Sequence, residues 1–374
     1  MLKGSQLIKL LVKEDLNFIT GIPCSILKSF LTHLNKVKKI KHILATNEGE
    51  ASALAVGYYL ATKKIPIIYM QNSGLANSVN PLISLLDKEV YSIPALLLIS
   101  WRGQPNRKDE PEHIKMGRIT LELLKLLGIP YLLLSSDETK AAQEIKRAKQ
   151  YLKKNNSPTA IIIRKGILAY SQSKKEKNIY SLTREGAIKI IVDNLKDNRL
   201  IISTTGKTSR ELFEYRENKN QNHQTDFYMV GSMGCVAAIA LGIALEKPKK
   251  RIFVFDGDGA VLMKMGTLAT VGYHLPKNFY HIIFDNRAYD STGGQSTISN
   301  SVSFDKVASA CGYKSVKTVS TKKELINSIR KIELQKSPHL FVIKVKKGSR
   351  DDLTRPTEMP WQNKVAFMKF LQNK

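Results

Sequence analysis

The chain has 374 residues, 43% of them hydrophobic, which suits two ordinary domains with real cores better than one. Its 59 Lys and Arg against 32 Asp and Glu give a formal charge of +27, but the lysines are spread along the chain and cluster only briefly, at 36–41, 247–251 and 344–347. No cluster is interleaved with aromatics as a base-stacking surface would be, no apolar run reaches membrane-spanning length, and three scattered cysteines make neither a disulfide framework nor a metal cluster. The expectation is a protein with a lysine-rich soluble surface, of the reduced cytoplasm and without signal peptide, that binds neither nucleic acid nor membrane. A basic nucleic-acid-binding protein is the alternative outside enzymes.

In chain order, the first half alternates short apolar runs with helical patterns. Strands are predicted over 18–20, 43–45, 66–70, 94–100, 131–134 and 159–163. They are continuously apolar, as strands covered on both faces should be. A small-residue helix is predicted over 52–61, and Leu121, Leu123, Leu124 and Leu127 share a face at helical spacing. The polar, lysine-rich stretch within 169–182 reads as a linker between a domain over 1–168 and a second over 183–374. Thr183 is the expected N-cap of the helix that opens the second half. Strands follow over 200–203, 227–230, 251–255, 279–284 and 340–345, with one apolar helix over 260–273. A terminal helix over 361–371 would pack on a neighbour. Repeated βα alternation implies an α/β protein of two doubly wound parallel-sheet domains.

The chemistry concentrates at predicted strand ends. Gly257-Asp258-Gly259 follows one strand, and Asp285-Asn286-Arg287 follows the next, with a helix between them. A strand–helix–strand crossover places the two strand ends side by side on one sheet edge. An aspartate and an asparagine oxygen then share a crevice and suit Mg²⁺. Alone, Gly-Asp-Gly is also a common turn. The first half adds Thr46-Asn47-Glu48-Gly49-Glu50, Gln71-Asn72-Ser73-Gly74, Ser100-Trp101-Arg102-Gly103 and Lys108-Asp109-Glu110-Pro111-Glu112-His113. The second adds Thr204-Thr205-Gly206-Lys207, Gly231-Ser232-Met233-Gly234 and Tyr289-Asp290-Ser291-Thr292-Gly293-Gly294.

In this order, and over roughly 21–347, these segments resemble the phosphonopyruvate decarboxylases, a family of thiamine diphosphate-dependent enzymes. Sulfopyruvate decarboxylase is the near relative. The resemblance implies the thiamine diphosphate-binding fold, with a pyrimidine-binding first half, a diphosphate-binding second half and no middle domain. It implies thiamine diphosphate and Mg²⁺ as cofactors. The activity implied is non-oxidative decarboxylation of phosphonopyruvate to phosphonoacetaldehyde and CO₂ in phosphonate biosynthesis, or of sulfopyruvate in the alternative. It also implies a homodimer or larger homo-oligomer with active sites at the subunit interface.

Residue by residue, the resemblance makes Glu48 the acid that activates the aminopyrimidine, in preference to Glu50, which is read as first-turn charge on a helix dipole. Asp258, Asn286 and the carbonyl of Ala288 would hold the metal. Gly231 and Met233 would accept from and support the bent cofactor. Ser232, Thr205, Gly206, Gly259 and Ala260 would line the diphosphate. Asp285 stands where the family commonly has a second Asn. Candidates for the substrate's phosphonate are Arg102, His113, Lys115 and Lys207, with Ser25 and Asn72 as polar partners. Arg102 comes first because its planar fork suits a tetrahedral oxyanion. Asp290 favours the phosphonate enzyme over the sulfonate one.

Overall fold

The computed structural model describes residues 1–169, 178–195 and 199–372. The chain divides into two compact units, Met1–Lys174 and Lys175–Lys374. Most of the stretch read as the linker, 170–177, lies outside the described residues.

The first unit is built on β1 (Phe18–Gly21), β2 (Lys41–Leu44), β3 (Ile67–Gln71), β4 (Leu96–Trp101), β5 (Tyr131–Leu133) and β6 (Thr159–Arg164). They form one six-stranded sheet in the order β2-β1-β3-β4-β6-β5, and every pairing is parallel. The central β4 is buried along its whole length, which is why its sequence, LLLISW, shows no alternation. From β1 the chain moves to one side of the sheet and from β3 to the other. The strand order therefore reverses between β1 and β3, the place where such sheets open a crevice at their carboxyl ends.

The second unit carries β7 (Leu200–Ser203), β8 (Asp226–Tyr228), β9 (Ile252–Gly257), β10 (Phe279–Asp285), a short antiparallel pair β11 (Ala288–Tyr289) and β12 (Gln295–Ser296), β13 (Ser315–Val319) and β14 (His339–Lys344). Its main sheet runs β13-β14-β10-β9-β7-β8, again all parallel. Here the reversal falls between β7 and β9. Two apolar layers, one led by Phe253, Phe255 and Phe284 and the other by Val254, Ile283 and Phe279, cover the two faces.

The α/β architecture of two parallel sheets is as the sequence predicts, with local differences. The helix expected over 260–273 is two helices, Asp258–Met263 and Gly266–His274. The first closes in a tight turn, in which the Lys264 N–H bonds the Val261 carbonyl at 3.2 Å. β13 was not predicted; it is an edge strand with Lys317 and Thr318 exposed, so it lacks the apolar run that marks the buried strands. In the helix Pro111–Leu126 only Leu124 of the four spaced leucines is buried. Thr183 caps as expected, its side chain accepting from Gly186 N. The terminal helix, Pro360–Gln372, packs Phe367 on Phe227, and Asn363 bonds the backbone of edge strand β8 through Tyr228 N and Asp226 O.

Candidate active site

The second unit places Asp258 and Asn286 as their spacing predicts. β9 and β10 pair in register with Phe284 opposite Gly257, so the residues just beyond them leave adjacent strand ends. Asp258 is 2% exposed. Its carboxylate accepts the hydroxyl of Thr297 but faces a second buried acid, Asp285. Burial first, and the Asp285 charge second, push Asp258 up to about 7. A carboxylate so short of positive charge is one that a cation would complete.

Asp285, by contrast, is already paired with Lys344 on the neighbouring strand and takes the Ser299 hydroxyl at 2.8 Å. It is therefore a buried, ion-paired wall of the site. Asn286 accepts from Ala288 N at 3.0 Å through Oδ1 and donates to Asp290 Oδ2 at 2.6 Å through Nδ2. Its second Oδ1 lone pair and the Asp258 carboxylate are hard-oxygen donors that a divalent cation could use. Among the described residues no group of three His, Cys, Asp or Glu side chains could hold a metal by itself. A divalent ion here would need phosphate or water oxygens to fill its shell.

Around this pair the expected cofactor residues gather in the same unit. The Gly231–Gly234 loop turns through left-handed conformations at Ser232 (φ 51°) and Gly234 (φ 89°). A side chain at Gly234 would strike Lys264 at 2.6 Å and the Ala260 carbonyl at 3.0 Å, so the loop lies against the helix that Asp258 opens. Met233 is half-buried and belongs to none of the core clusters of the described residues. Gly259 lies against the Tyr289 ring, leaving no room for a Cβ. Gly206 (φ 93°) is the N-cap of the helix Lys207–Asn218 and approaches Ser291. The Thr205 hydroxyl donates to Val230 O at 2.7 Å and so ties the β7 and β8 ends together. The neighbouring Thr204 hydroxyl is buried without a partner among the described residues.

In the first unit, Glu48 is the first residue of the helix Glu48–Thr62 and is 5% exposed. Asn47 caps this helix by accepting from Glu50 N. Glu48 Oε2 accepts from Asn77 Nδ2 at 3.0 Å, and its carboxyl lies directly against Gly74. Glu50 is exposed and folds back onto the N–H and hydroxyl of Thr46. Of the two glutamates, only Glu48 is enclosed.

Two of the anion-binding candidates, Arg102 and Ser25, meet at the carboxyl end of the first sheet. Arg102, at the end of β4, is clamped by Asp109 through Nε and Nη2 and extends Nη1 to Ser25 Oγ at 3.2 Å. Burial works to raise the Asp109 carboxyl, but its bonds to Arg102 and Gly103 N outweigh it and hold it down at about 2. The arginine is thus fixed, with part of its charge already spent.

Two expectations need correcting here. Asn72 has both amide hydrogens engaged, donating to Arg102 O and Thr120 Oγ1, and its oxygen accepts from Arg102 N, so it shapes the Arg102 loop and has no hydrogen left to donate to a phosphonate. His113 is held down at about 4 by burial first and by the Arg102 charge second, so at neutral pH it is no cation. Lys115 is exposed on the same helix. Lys207 belongs to the second unit, where burial and then Arg210 and Arg184 lower its pKa.

Sequence reasoning missed Asn77, Thr297, Lys344, Arg184 and Glu211. Each reaches its partner from a distant segment, and no local motif marks it.

Known proteins resemble this chain in both units. Residues 2–121 match the thiamine pyrophosphate enzyme N-terminal TPP binding domain, and residues 204–345 match the C-terminal TPP binding domain. A phosphonopyruvate decarboxylase of Streptomyces viridochromogenes is 34% identical over 99% of this chain and 95% of its own length. One from Streptomyces hygroscopicus is 33% identical over 99% and 94%. A sulfopyruvate decarboxylase of Methanosarcina acetivorans is 26% identical over 98% and 96%.

Proposed function

The chain belongs to the thiamine pyrophosphate enzymes, in the phosphonopyruvate decarboxylase family, and from that membership we propose that it converts 3-phosphonopyruvate and a proton to phosphonoacetaldehyde and CO₂. The observation that carries the reading is 34% identity to such a decarboxylase across 99% of the chain, with both cofactor-binding halves present. Sulfopyruvate is the second substrate to consider, on the more distant match of 26%.

Bound thiamine diphosphate supplies a thiazolium ring that takes up the electron pair left as CO₂ departs. The protein's own residues prepare and shelter that chemistry. Glu48 would share a proton with the aminopyrimidine, its carboxyl held by Asn77 and fitted against Gly74. Asp258, Asn286 and the Ala288 carbonyl would hold Mg²⁺, which neutralises the diphosphate. N–H groups at Gly206, Gly259 and Ala260, with the Thr205 segment and Ser232, would face the diphosphate oxygens, because a helix's first turn leaves its N–H groups unpaired. Met233 would brace the bent cofactor and the Gly231 carbonyl would accept from its amino group.

For the substrate, Arg102 and Ser25 lie close enough to share one phosphonate oxygen. His113 can add a neutral donor. Burial and the neighbouring Arg210 and Arg184 disfavour the charged form of Lys207, and a dianion beside it would favour that form. Because Glu48 lies in one unit and Asp258 in the other, each active site needs both, and we propose a homodimer or larger homo-oligomer in which two chains contribute to each site.

The experiment that tests the cofactor assignment is calorimetry of thiamine diphosphate with Mg²⁺. The parent should bind the pair tightly and, below about pH 7, release a proton, because there the cation displaces it from Asp258. Its Mg²⁺ affinity should be flat above pH 7 and fall about tenfold per pH unit below it. Asp258→Ala should lose both the affinity and the pH slope while remaining folded. Unchanged affinity in that variant would reject the assignment.

A further inference from the structure

A line of buried charge ends on Asn286. Glu211 and Arg184 are 3% and 6% exposed. Arg184 grips Glu211 with two prongs, Nε to Oε2 at 2.8 Å and Nη2 to Oε1 at 2.9 Å. Its remaining prong, Nη1, reaches Asp290 Oδ2 at 3.0 Å. That same oxygen accepts the Asn286 amide at 2.6 Å, and Asp290 Oδ1 accepts from Gly348 N at 3.1 Å.

We infer that Arg184 and Asp290 are positioning residues that turn the Asn286 amide so that its oxygen, not its NH₂, faces the cation. The inference rests on the cation site proposed above.

The two ends of an asparagine amide are nearly alike in shape and opposite in chemistry, so neighbours decide which end points where. A carboxylate can only accept, so Asp290 selects the NH₂ end. The Ala288 N–H can only donate, so it selects the oxygen end. Only one orientation satisfies both. With the amide reversed, NH₂ would face the metal and oxygen would face Asp290, both repulsive. Arg184 is needed because a bare Asp290 so near the site would be a competing anion. It shares its single charge between Glu211 and Asp290, which damps the Asp290 charge, and Glu211 fixes the guanidinium so that Nη1 cannot swing away. Three charged groups are costly to bury for stability alone, since apolar residues can fill such space as well. Partners of this kind, behind a metal ligand, typically change metal affinity by roughly 10–100-fold.

The test is a double-mutant cycle on cation affinity, read by the EPR signal of Mn²⁺ in the presence of saturating thiamine diphosphate. Asp290→Ala should weaken Mn²⁺ binding by at least about tenfold. In an Asn286→Ala background, the same change should cost less than about twofold, because the group it positions is gone. Arg184→Gln should follow the same pattern, and Asp290→Asn, which retains an acceptor, should lose less than Asp290→Ala. Circular dichroism confirms that each protein is folded, and if Asp290→Ala is not, the Asp290→Asn and Arg184→Gln cycles decide. A purely structural role would lower melting temperature with no loss that depends on Asn286. Equal losses with and without Asn286, or no loss in the parent background, would overturn the inference. Asp258→Ala is run alongside. If it too leaves Mn²⁺ binding intact, the cation site itself is wrong; if it abolishes binding while the Asp290 and Arg184 variants do not change it, only the positioning role fails.

Discussion

Glu48 and Glu50 stand two residues apart at one helix start and do opposite things. Glu50 is exposed and closes the turn before the helix by accepting from Thr46. Glu48 points inward, with one oxygen held by Asn77. Their roles should separate cleanly. Glu48→Gln cannot share a proton with the cofactor in the same way, so hydrogen–deuterium exchange at C2 of bound thiamine diphosphate should slow by at least about a hundredfold. Mg²⁺-dependent cofactor binding should change little. Glu50→Gln should leave exchange at the parent rate and cost on the order of 1 kcal/mol in stability, the scale of a helix cap. Parent-like exchange in Glu48→Gln would move the role elsewhere. At this scale the sequence singled out residues in strand-end motifs, Glu48, Asp258, Asn286 and Arg102, of which the first three prove to be buried. It was silent on partners such as Asn77 and Arg184, because contacts between distant segments leave no spacing to read. It also gave no sign that both Asn72 amide hydrogens are engaged or that His113 is buried and neutral, since neither is visible in residue type alone.

Helices and strands matter to this site through how closely they approach. The helix Asn72–Pro81 meets the start of the helix Glu48–Thr62 at Gly74, where a Cβ would lie 2.3 Å from Glu48 Oε1 and 2.6 Å from its Cγ. Gly74→Ala should therefore force the Glu48 side chain out of position. The expected result is slowed C2 exchange approaching that of Glu48→Gln, with Mg²⁺ affinity unaltered, since Asp258 belongs to the other unit. Parent-like exchange would show that the carboxyl has freedom to move and that the close approach has no functional weight. The strands that frame the site were readable because strands buried on both faces are continuously apolar, as in β4 and β9. β13 escaped because an edge strand needs only one apolar face, and the break at Lys264 escaped because the apolar pattern continues across it.

Across the whole molecule, each unit has one strand-order reversal, and the chemistry is divided between them: Glu48 and Arg102 in the first, Asp258 and Asn286 in the second. If two chains share each site, mixing Glu48→Ala with Asp258→Ala protein under conditions of exchange should restore activity. One site of each mixed dimer carries neither change, so about a quarter of all sites should recover under random pairing. Sites built within single chains would leave the mixture inactive. The central claim, decarboxylation of phosphonopyruvate with thiamine diphosphate and Mg²⁺, is tested most directly by product analysis with phosphonopyruvate, sulfopyruvate and pyruvate side by side. The account predicts CO₂ and phosphonoacetaldehyde as the fastest-formed products, with Arg102→Ala costing phosphonopyruvate more than pyruvate, by roughly 1.5–3 kcal/mol. Faster turnover of sulfopyruvate, or no product from phosphonopyruvate by a protein that binds the cofactor, would contradict it.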